Sequence, residues 1–294
     1  MSFDLVLTAR DRKVETLRFL YSLASQNGTA RVRVLFADQG LRLNSQELES
    51  IPKKQGTSLH ITEIEPSALS CARNDAIKMG LCSSIVGFPD DDCWYGVNVL
   101  SKIQSVFEEQ PNLHCICTNV FDPDKSLSYG GRPLDVRIPV NFSNIFSLPI
   151  SVGIFIRREA FEAVGGEFNE SLGAGTYLGS GEETELIARL LEWGARILYV
   201  GDISVFHPVP TYQNSDAAKF YAYGIGYGYL ATMLIKRGRH VVVCHWMNVV
   251  ARSLFGVVLY MFKHAERTMY WRRFVGIVIG SLLALRGGAL PKKS

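Results

Sequence analysis

Three consecutive aspartates, Asp90, Asp91 and Asp92, directly follow a short apolar run at residues 85–89. Adjacent carboxylates repel one another unless a positive charge lies among them. Mg²⁺ and Mn²⁺ take hard oxygen ligands, and one or two carboxylates commonly hold them together with substrate phosphates. Asp90 and Asp92 would share one face of an extended segment, so the triplet predicts a divalent-metal site. The alternative is a solvated acidic loop.

A second group of acids follows a glycine-rich stretch at residues 173–181. Glycines allow a backbone to approach a ligand closely. Ser180 can cap the helix that the next residues predict, and the first turn of that helix holds Glu182, Glu183 and Glu185. Acids at this position complement the helix dipole, which is one explanation. The other is a carboxylate placed in an open cleft as a general base.

Two further residues, His207 and Trp94, could belong to the site that the aspartates predict. His207 directly follows an apolar strand pattern and could complete a metal shell through an imidazole nitrogen, although a lone histidine is usually structural or exposed. Trp94 follows the aspartates and could belong to the site, or it could pack in the core.

Strand and helix patterns alternate along the first 210 residues. Short apolar runs predict strands, and apolar residues at three- and four-residue spacing predict helices between them. This alternation predicts the α/β class, with a mostly parallel sheet covered by helices on both faces. The predicted strands lie at residues 3–8, 32–37, 59–64, 86–88, 114–119, 151–157, 196–200 and 203–206. The predicted helices begin at about residues 14, 67, 97, 158 and 182.

Ligands of such sheets bind at the carboxyl ends of the strands, and this rule brings further residues to the aspartates. Thr8 and Arg10 end the first predicted strand, and Asp38 ends the second. Arg73 lies early in a predicted helix at the same rim, where a guanidinium can bind a diphosphate through two hydrogen bonds. Asp38 could accept a hydrogen bond from a base or a ribose. Together they predict a nucleotide-diphosphate site, although each residue alone would be a surface charge or a turn residue.

The segment at residues 122–149 is rich in Pro, Gly, Asn and Asp, and its apolar residues follow no sustained period. We therefore expect a long irregular connection, a type of loop that is usually functional or mobile.

The distribution of charge separates the end of the chain from the rest. The net charge of the 294 residues is +3, and the 47% hydrophobic content is typical of a globular protein with a sizeable core. Residues 236–294 contain eleven Lys or Arg and one acid, so the other 235 residues carry 20 basic and 27 acidic side chains. The six cysteines lack the paired spacing of a zinc site, and no signal-peptide pattern opens the chain. These features favour reduced thiols in the cytosol.

Two apolar runs, residues 241–262 and 274–285, lie in this basic end region. A membrane span needs about 20 predominantly apolar residues, whereas the first run contains Arg252 and the second has only twelve residues. We therefore expect amphipathic helices that lie in a membrane interface. A soluble helical subdomain or a homo-oligomer interface is the alternative. Nucleic-acid binding is not expected, because long aliphatic runs separate the basic residues. The residues expected at the head groups or the boundary are Arg252, Lys263, Arg267, Arg272, Arg273, Trp246, Tyr260, Tyr270 and Trp271.

These motifs follow one another in a particular order. The order is Thr8-Ala9-Arg10, Asp38, Ala72-Arg73-Asn74, Asp90-Asp91-Asp92, Gly181-Glu182-Glu183-Thr184-Glu185 and His207. Over residues 3–210 the chain resembles the family 2 glycosyltransferases of GT-A fold, and the aspartate triplet resembles the D-x-D metal motif of that family.

The resemblance implies a role for each motif. Asp90 and Asp92 would face the nucleotide and the ion, with Asp92 the direct ligand, and His207 would complete the coordination of Mg²⁺ or Mn²⁺. Glu183 falls at the catalytic-base position, where the family usually has aspartate. The implied nucleotide-sugar residues are Thr8, Arg10, Asp38, Arg73, Asp90 and Asp91, and the implied acceptor-side residues are Trp94 and Glu182.

The resemblance also implies an activity and a location. A GT-A catalytic domain at residues 1–212 would transfer a sugar from a nucleotide-diphosphate sugar to a hydroxyl of a lipid-linked saccharide, with inversion. A helical region at residues 213–294 would hold it peripherally at the cytoplasmic face of a bacterial membrane, in surface-polysaccharide assembly. Two alternatives remain: a catalytically silent nucleotide-binding or scaffold subunit, and a nucleotidyltransferase that uses the same strand-end aspartates.

Overall fold

The computed structural model describes residues 1–52, 54–209 and 217–287, and these form two compact units. The first unit comprises residues 1–168 and 186–209. The second comprises residues 169–185 and the described residues from 217 onwards. The predicted domain boundary between residues 212 and 213 lies outside the described residues.

In the part of the chain that the structure describes, ten strands form one sheet. The strands are β1 (Ser2–Ala9), β2 (Arg31–Asp38), β3 (Thr57–Glu63), β4 (Ile85–Gly87), β5 (Trp94–Tyr95), β6 (Cys115–Asp122), β7 (Leu127–Ser128), β8 (Arg137–Pro139), β9 (Ile154–Arg157) and β10 (Ile197–Phe206). Their order across the sheet is β3-β2-β1-β4-β9-β6-β10-β5, and β7 pairs with β6 and β8 with β10.

Six of these strands run in one direction. β1 to β4 form a parallel group, and β6 and β10 form a parallel pair. β9 joins the two groups because it is antiparallel to both β4 and β6. The prediction of a mostly parallel α/β sheet is therefore confirmed. Ala9 lies opposite Asp38, and Thr8 forms a parallel bridge with Asp90, so the carboxyl ends of β1, β2 and β4 meet at one edge.

Helices alternate with these strands, as the spacing of apolar residues predicted. α4 shows the reason most clearly, since Val99, Ile103 and Val106 are buried along one side of the helix. The helices are α1 (Lys13–Ala24), α2 (Ser45–Ser50), α3 (Leu69–Ile77), α4 (Val99–Glu109), α5 (Arg158–Ala163) and α6 (Glu182–Trp193). The short α2 was not predicted, and it begins with a capping box formed by Asn44 and Glu47.

Two predicted elements differ from the structure. The two short strands expected at residues 196–200 and 203–206 are one strand, β10, whose pairing with β6 shifts register between Val200 and Ser204. This irregularity lies where Gly201 and Asp202 interrupt the apolar pattern.

The segment at residues 122–149 is more ordered than its composition suggested. It contains β7, a 3₁₀ turn at Tyr129–Gly131 and β8. The Arg132 guanidinium donates to the carbonyl oxygens of Tyr129, Leu148 and Pro149. Strands of two or three residues are too short to produce a recognisable alternation in sequence, which is why the prediction missed them.

A buried aromatic cluster supports the segment that carries the aspartates. Cys93 and Tyr95 are buried directly after the triplet. The Tyr95 ring packs edge-on against Phe19 on α1 (5.4 Å between centroids) and tilted against Phe155 on β9 (6.1 Å). These contacts hold the residues that follow the aspartates, and β4 holds the residues that precede them. The acidic turn is therefore fixed at both ends.

The second unit contains three long helices, α7 (Ala217–Lys236), α8 (Val241–Leu259) and α9 (His264–Arg286). By length and composition alone, α8 and α9 are apolar enough to cross a membrane. The short apolar run expected at residues 274–285 is thus part of a longer helix.

Glycines allow α7 and α9 to pack with their backbones in contact. A Cβ at Gly224 would lie 2.5 Å from the Arg273 carbonyl oxygen. A Cβ at Gly228 or at Gly280 would overlap a carbonyl group of the opposite helix. Small residues four apart on both helices are the usual device for so close an approach.

Three aromatic residues that were expected at a membrane boundary, Trp246, Tyr260 and Tyr270, are half-buried and also contact other side chains of this unit. The Trp246 indole donates to the Ser281 hydroxyl (3.2 Å), and Tyr270 stacks on Tyr260 with 5.5 Å between the ring centroids. Periodicity alone did not separate these residues from the exposed aromatic residues, because the helices bury only part of their surface.

Candidate metal and nucleotide site

The aspartate triplet forms a turn just past the end of β4. The last residue of the strand is Gly87. A Cβ at this position would lie 3.0 Å from the side chains of Leu5 and Phe155, so the close packing here favours glycine. Within the turn, the Cys93 amide donates to the Asp90 carbonyl oxygen (3.3 Å). The Arg18 guanidinium donates to the Asp92 carbonyl oxygen (2.7 Å). The apolar strand therefore ends abruptly, and backbone contacts hold the three carboxylates in place.

Each carboxylate of the triplet has a different cationic partner or set of partners. Asp90 accepts from the Arg73 guanidinium (2.7 Å), and Asp91 forms an ion pair with Arg12 (3.2 Å). Asp92 also forms an ion pair with Arg12, and its Oδ1 atom lies 2.9 Å from Nε2 of His207. Their repulsion is thus balanced by two arginines and an imidazole.

Asp90, Asp92 and His207 each offer one ligand atom, and these atoms all lie within 4.8 Å of one another. Octahedral Mg²⁺ with bonds of about 2.1 Å needs ligand atoms about 3.0 Å apart when adjacent and about 4.2 Å apart when opposite. Two carboxylate oxygens and one imidazole nitrogen suit Mg²⁺ or Mn²⁺. The residues present therefore fit a divalent cation, and the predicted metal ligands are brought together.

The charges of this cluster shift the pKa values of its members. Burial alone would raise the pKa of Asp92, but the contact with His207 and the charges of His207 and Arg12 outweigh it and lower that pKa. Burial alone would lower the pKa of His207, because it disfavours the charged imidazolium. The nearby Asp92 carboxylate outweighs this effect, so the pKa of His207 is raised. Asp91 is different, because burial and the neighbouring aspartates exceed the influence of Arg12 and raise its pKa to about 6. With a pKa of about 6, the Asp91 carboxylate takes up a proton at a higher pH than an exposed aspartate does.

Arg73 is fully buried, and its guanidinium lies 5.2 Å from the centre of the Phe168 ring. Asn74 reinforces this arrangement, since its side chain accepts from the Phe168 amide (2.8 Å) and donates to the Phe168 carbonyl oxygen (3.0 Å). Arg73 therefore orients Asp90, and a direct contact with a diphosphate stays a prediction.

The other predicted nucleotide residues lie at the same edge of the sheet. Thr8 is buried at the end of β1, whereas Arg10 is exposed and lies 3.7 Å from Asp11. Both carboxylate oxygens of Asp38 accept backbone amides of the turn that follows β2, at 2.7 to 2.9 Å. Asp38 thus shapes this turn, and its contact with a base or ribose stays a prediction.

Two arginines on or near α1 belong to the site, and the sequence interpretation had not selected them. Arg12, about half exposed, binds both Asp91 and Asp92, and Arg18 binds the backbone of Asp92. A signal was present, because Arg12 lies four residues after the carboxyl end of the first predicted strand. Arg18 had a weaker signal, as a charge within the apolar pattern of the predicted helix.

Trp94 is half-buried and already has two neighbours. The Arg18 guanidinium lies 3.9 Å from the centre of its ring, and the Phe206 ring lies 5.6 Å away. Cation–π and aromatic contacts of this kind orient an indole ring. Stacking of Trp94 on a sugar stays a prediction.

Glu182 and Glu183 belong to the second unit, at the start of α6. Glu182 is buried and Glu183 is half-buried. The Ser180 hydroxyl donates to the Tyr223 carbonyl oxygen (3.4 Å) on α7. The preceding glycines are needed for packing, since a Cβ at Gly179 would lie 2.6 Å from that of Ala222. Contact with α7 thus explains a glycine that the sequence interpretation assigned to ligand approach.

No protein-family model and no curated protein matches the chain. Among solved structures, S. aureus TarS 1–349 is 15% identical with a TM-score of 0.59, and the match covers 98% of this chain and 92% of that one. The same fragment in complex with UDP-GlcNAc is 15% identical with a TM-score of 0.56, covering 95% and 92%. The mannosyltransferase PcManGT from Pyrobaculum calidifontis, in complex with GDP-Man and Mn²⁺, is 13% identical with a TM-score of 0.63, covering 95% and 86%.

A longer TarS structure, 17% identical with a TM-score of 0.56, matches over 78% of this chain, which spans only 43% of that structure's length. At these identities the likeness concerns the fold. The chain therefore has the mixed α/β fold of these glycosyltransferase structures, as predicted.

Proposed function

We propose that the chain is an inverting, metal-dependent glycosyltransferase of the family 2 type. It transfers a sugar from a nucleotide-diphosphate sugar to a hydroxyl of a saccharide acceptor. The observation that carries the proposal is the Asp90–Asp92–His207 cluster at the carboxyl end of β4, in a fold shared with glycosyltransferases. Two proteins of similar fold bind UDP-GlcNAc and GDP-Man, which supports a nucleotide sugar as the donor. The two ligands differ in their base, so they do not indicate which base this chain would bind.

In this proposal, Asp90, Asp92 and His207 hold Mg²⁺ or Mn²⁺, which would neutralise negative charge on the departing nucleoside diphosphate. Arg73 keeps Asp90 in place, and Arg12 adds positive charge at the exposed side of the cluster. Glu183 accepts the proton of the acceptor hydroxyl. The hydroxyl oxygen attacks the anomeric carbon from the face opposite the leaving group, so one displacement inverts the configuration.

The second unit supports membrane attachment as part of this function. Six of its exposed apolar side chains lie in the last turns of α8 and in the turn before α9. These are Leu254, Phe255, Val258, Leu259, Met261 and Phe262. An apolar surface of this kind next to basic residues is typical of a protein that inserts into one leaflet.

Arg252 argues against a spanning helix. It is exposed at the twelfth of the 19 positions of α8, so a spanning α8 would place its charge well inside the bilayer. Such a charge costs at least about 2.5–3.5 kcal/mol. We therefore propose that α8 and α9 lie at the interface of the cytoplasmic leaflet, close to a lipid-linked acceptor of surface-polysaccharide assembly.

A thermal-shift panel of nucleoside diphosphates and nucleotide sugars, with and without Mn²⁺, tests the donor site. A ligand at about 100 times its Kd should stabilise the protein by about 2.7 kcal/mol. We expect a Mn²⁺-dependent shift for one base, lost in Asp92→Asn. The matched control is Asp11→Asn, an exposed aspartate on the same rim whose loss should leave the shift intact.

The catalytic step needs a separate experiment. Glu183→Gln should keep the nucleotide shift but abolish transfer and donor hydrolysis. The product of the unaltered enzyme should show the inverted anomeric configuration by NMR. If no nucleotide shifts the unfolding temperature, the donor site as described is wrong; if binding occurs without turnover, the chain is a nucleotide-binding subunit.

A further inference from the structure

His207 reaches the cluster from the end of β10, and its own backbone holds the imidazole. The His207 amide donates to the Phe121 carbonyl oxygen (3.0 Å). Its Nδ1 atom lies 2.8 Å from the Pro208 carbonyl oxygen. A carbonyl oxygen can only accept, so Nδ1 carries the proton in this contact. The other nitrogen, Nε2, faces Asp92, and it is the atom that can offer a lone pair to a cation.

A buried carboxylate lies behind this arrangement. Asp122 is the last residue of β6, and only 3% of its side chain is exposed. Its Oδ1 atom accepts from the amides of Asp124 (3.0 Å) and Lys125 (3.2 Å), which shape the turn after β6. Its Oδ2 atom accepts from the Val209 amide (2.7 Å), 87 residues away. The turn after β6 therefore uses only the Oδ1 atom of Asp122, and the Oδ2 atom binds a distant segment of the chain.

Lys125 completes the contact between the two segments. Its ammonium lies 3.4 Å from Oδ2 of Asp122 and also donates to the Val209 carbonyl oxygen. A buried carboxylate is costly unless it has hydrogen bonds and an opposite charge, and Asp122 has both.

The carboxylate and the imidazole contact the same peptide group. The carbonyl of Pro208, which accepts from His207, and the N–H of Val209, which donates to Asp122, belong to one peptide unit. A charged acceptor on the N–H polarises the peptide and strengthens the hydrogen bond that its oxygen accepts. We propose that Asp122 is a positioning residue that fixes the tautomer and orientation of His207 through the Pro208–Val209 peptide.

This proposal rests on the proposed function, in which His207 is a metal ligand. Metal-bound histidines generally donate their other ring N–H to a carboxylate or a carbonyl, which orients the ring and raises its basicity. In this chain the carbonyl is itself held by a carboxylate, so the influence of Asp122 reaches the cation through two hydrogen bonds and one peptide.

A double-mutant cycle measured by Mn²⁺ titration tests the proposal. We expect Asp122→Asn to weaken Mn²⁺ binding about tenfold, the lower end of the effect of losing such an outer partner. Asparagine keeps the shape of the side chain and one acceptor oxygen, and the urea unfolding midpoint of each variant shows whether it is folded. In the His207→Ala background, Asp122→Asn should cause no further loss. The control is Asp124→Asn, an exposed aspartate of the same turn, which should bind Mn²⁺ as the unaltered protein does.

A second measurement needs no metal. In metal-free Asp92→Ala protein at alkaline pH, where Nε2 no longer faces a carboxylate, ¹⁵N NMR of the imidazole should show the Nδ1–H tautomer of His207, and adding Asp122→Asn should reduce its population. If the unaltered protein binds no Mn²⁺, the proposed metal site fails while the tautomer still tests the role of Asp122. The inference is overturned if Asp122→Asn leaves the tautomer population of His207 unchanged. It is also overturned if Asp122→Asn weakens Mn²⁺ binding by the same factor in the unaltered protein and in the His207→Ala variant.

Discussion

Phe262 offers a direct test of the proposed attachment of the second unit to a membrane. It lies in the turn between α8 and α9, and 93% of its side chain is exposed. Full burial of a phenylalanine side chain contributes about 1.5–3 kcal/mol. If this turn enters a leaflet, Phe262→Ser should lose about 2 kcal/mol, which corresponds to about a 30-fold lower partition coefficient. Phe255, 65% exposed, should lose about two-thirds of that energy, or about tenfold.

Binding to lipid vesicles, measured by co-sedimentation over a lipid titration, would show these losses. A suitable control is Val14→Ser, because Val14 is a 77% exposed apolar residue on α1 of the first unit. Its replacement should leave vesicle binding unchanged. Vesicles with phosphatidylglycerol should bind more tightly than those of phosphatidylcholine alone, since each basic residue near an anionic surface adds about 1 kcal/mol.

The reasoning is refuted if Phe262→Ser binds vesicles as well as the unaltered protein does. It is equally refuted if Val14→Ser weakens binding to the same extent, because loss of any exposed apolar side chain would then lower vesicle binding. A spanning arrangement would give a different result, namely a protein that stays in the membrane after alkaline extraction despite both substitutions.

Three further predictions concern the acidic cluster of the first unit and the helix packing of the second. Asp91 has a folded-state pKa raised to about 6 by burial, so its neutral form stabilises the metal-free protein below about pH 4, and this stabilisation is lost as the pH rises towards about 6. Asp91→Asn should therefore raise the unfolding midpoint in urea at pH 8 by the equivalent of about 3 kcal/mol and leave it nearly unchanged at pH 4. Equal effects at both pH values would contradict this origin. Arg12→Met removes a positive charge beside Asp92, so Mn²⁺ binding without nucleotide should tighten by up to about tenfold in a calorimetric titration, and weaker binding would show that Arg12 mainly shapes the turn. Gly228→Leu forces apart the backbones of α7 and α9 and should cost about 3 kcal/mol, or about 5–10 °C in Tm, whereas Ala251→Leu on the exposed side of α8 should leave Tm nearly unchanged.

Much of the first unit could be predicted because its strands are short, apolar and separated by amphipathic helices. Residues 85–88 show this well, since an apolar run that ends in Pro89 and three acids could hardly continue as a strand. The parallel order of β1, β2 and β4 then brought Thr8, Asp38 and Asp90 to one edge. His207 reached the same cluster by the same rule, through β10.

Other features could not be predicted, because they depend on contacts between distant residues. Asp122 looks like an ordinary turn residue, and only the fold reveals that its second oxygen binds Val209. Arg73 was expected at an open rim, but packing against Phe168 buries it. The glycine-rich stretch suggested a ligand, whereas Gly179 accommodates a helix that lies some forty residues further along the chain.

The close contact of α7 with α9 has a practical consequence for anyone who wishes to obtain a soluble protein by removing the apolar end. Deleting α8 and α9 would take away the helix against which Gly224 and Gly228 pack, and α7 would then expose a groove of bare backbone. The loop at residues 178–181 rests on α7 in turn, since a Cβ at Gly226 would lie 2.5 Å from the Ser180 carbonyl oxygen. A shortened protein would thus lose the support of the segment that leads to Glu183. Detergent or lipid nanodiscs with the whole chain are the better route to a sample in which this segment keeps its support.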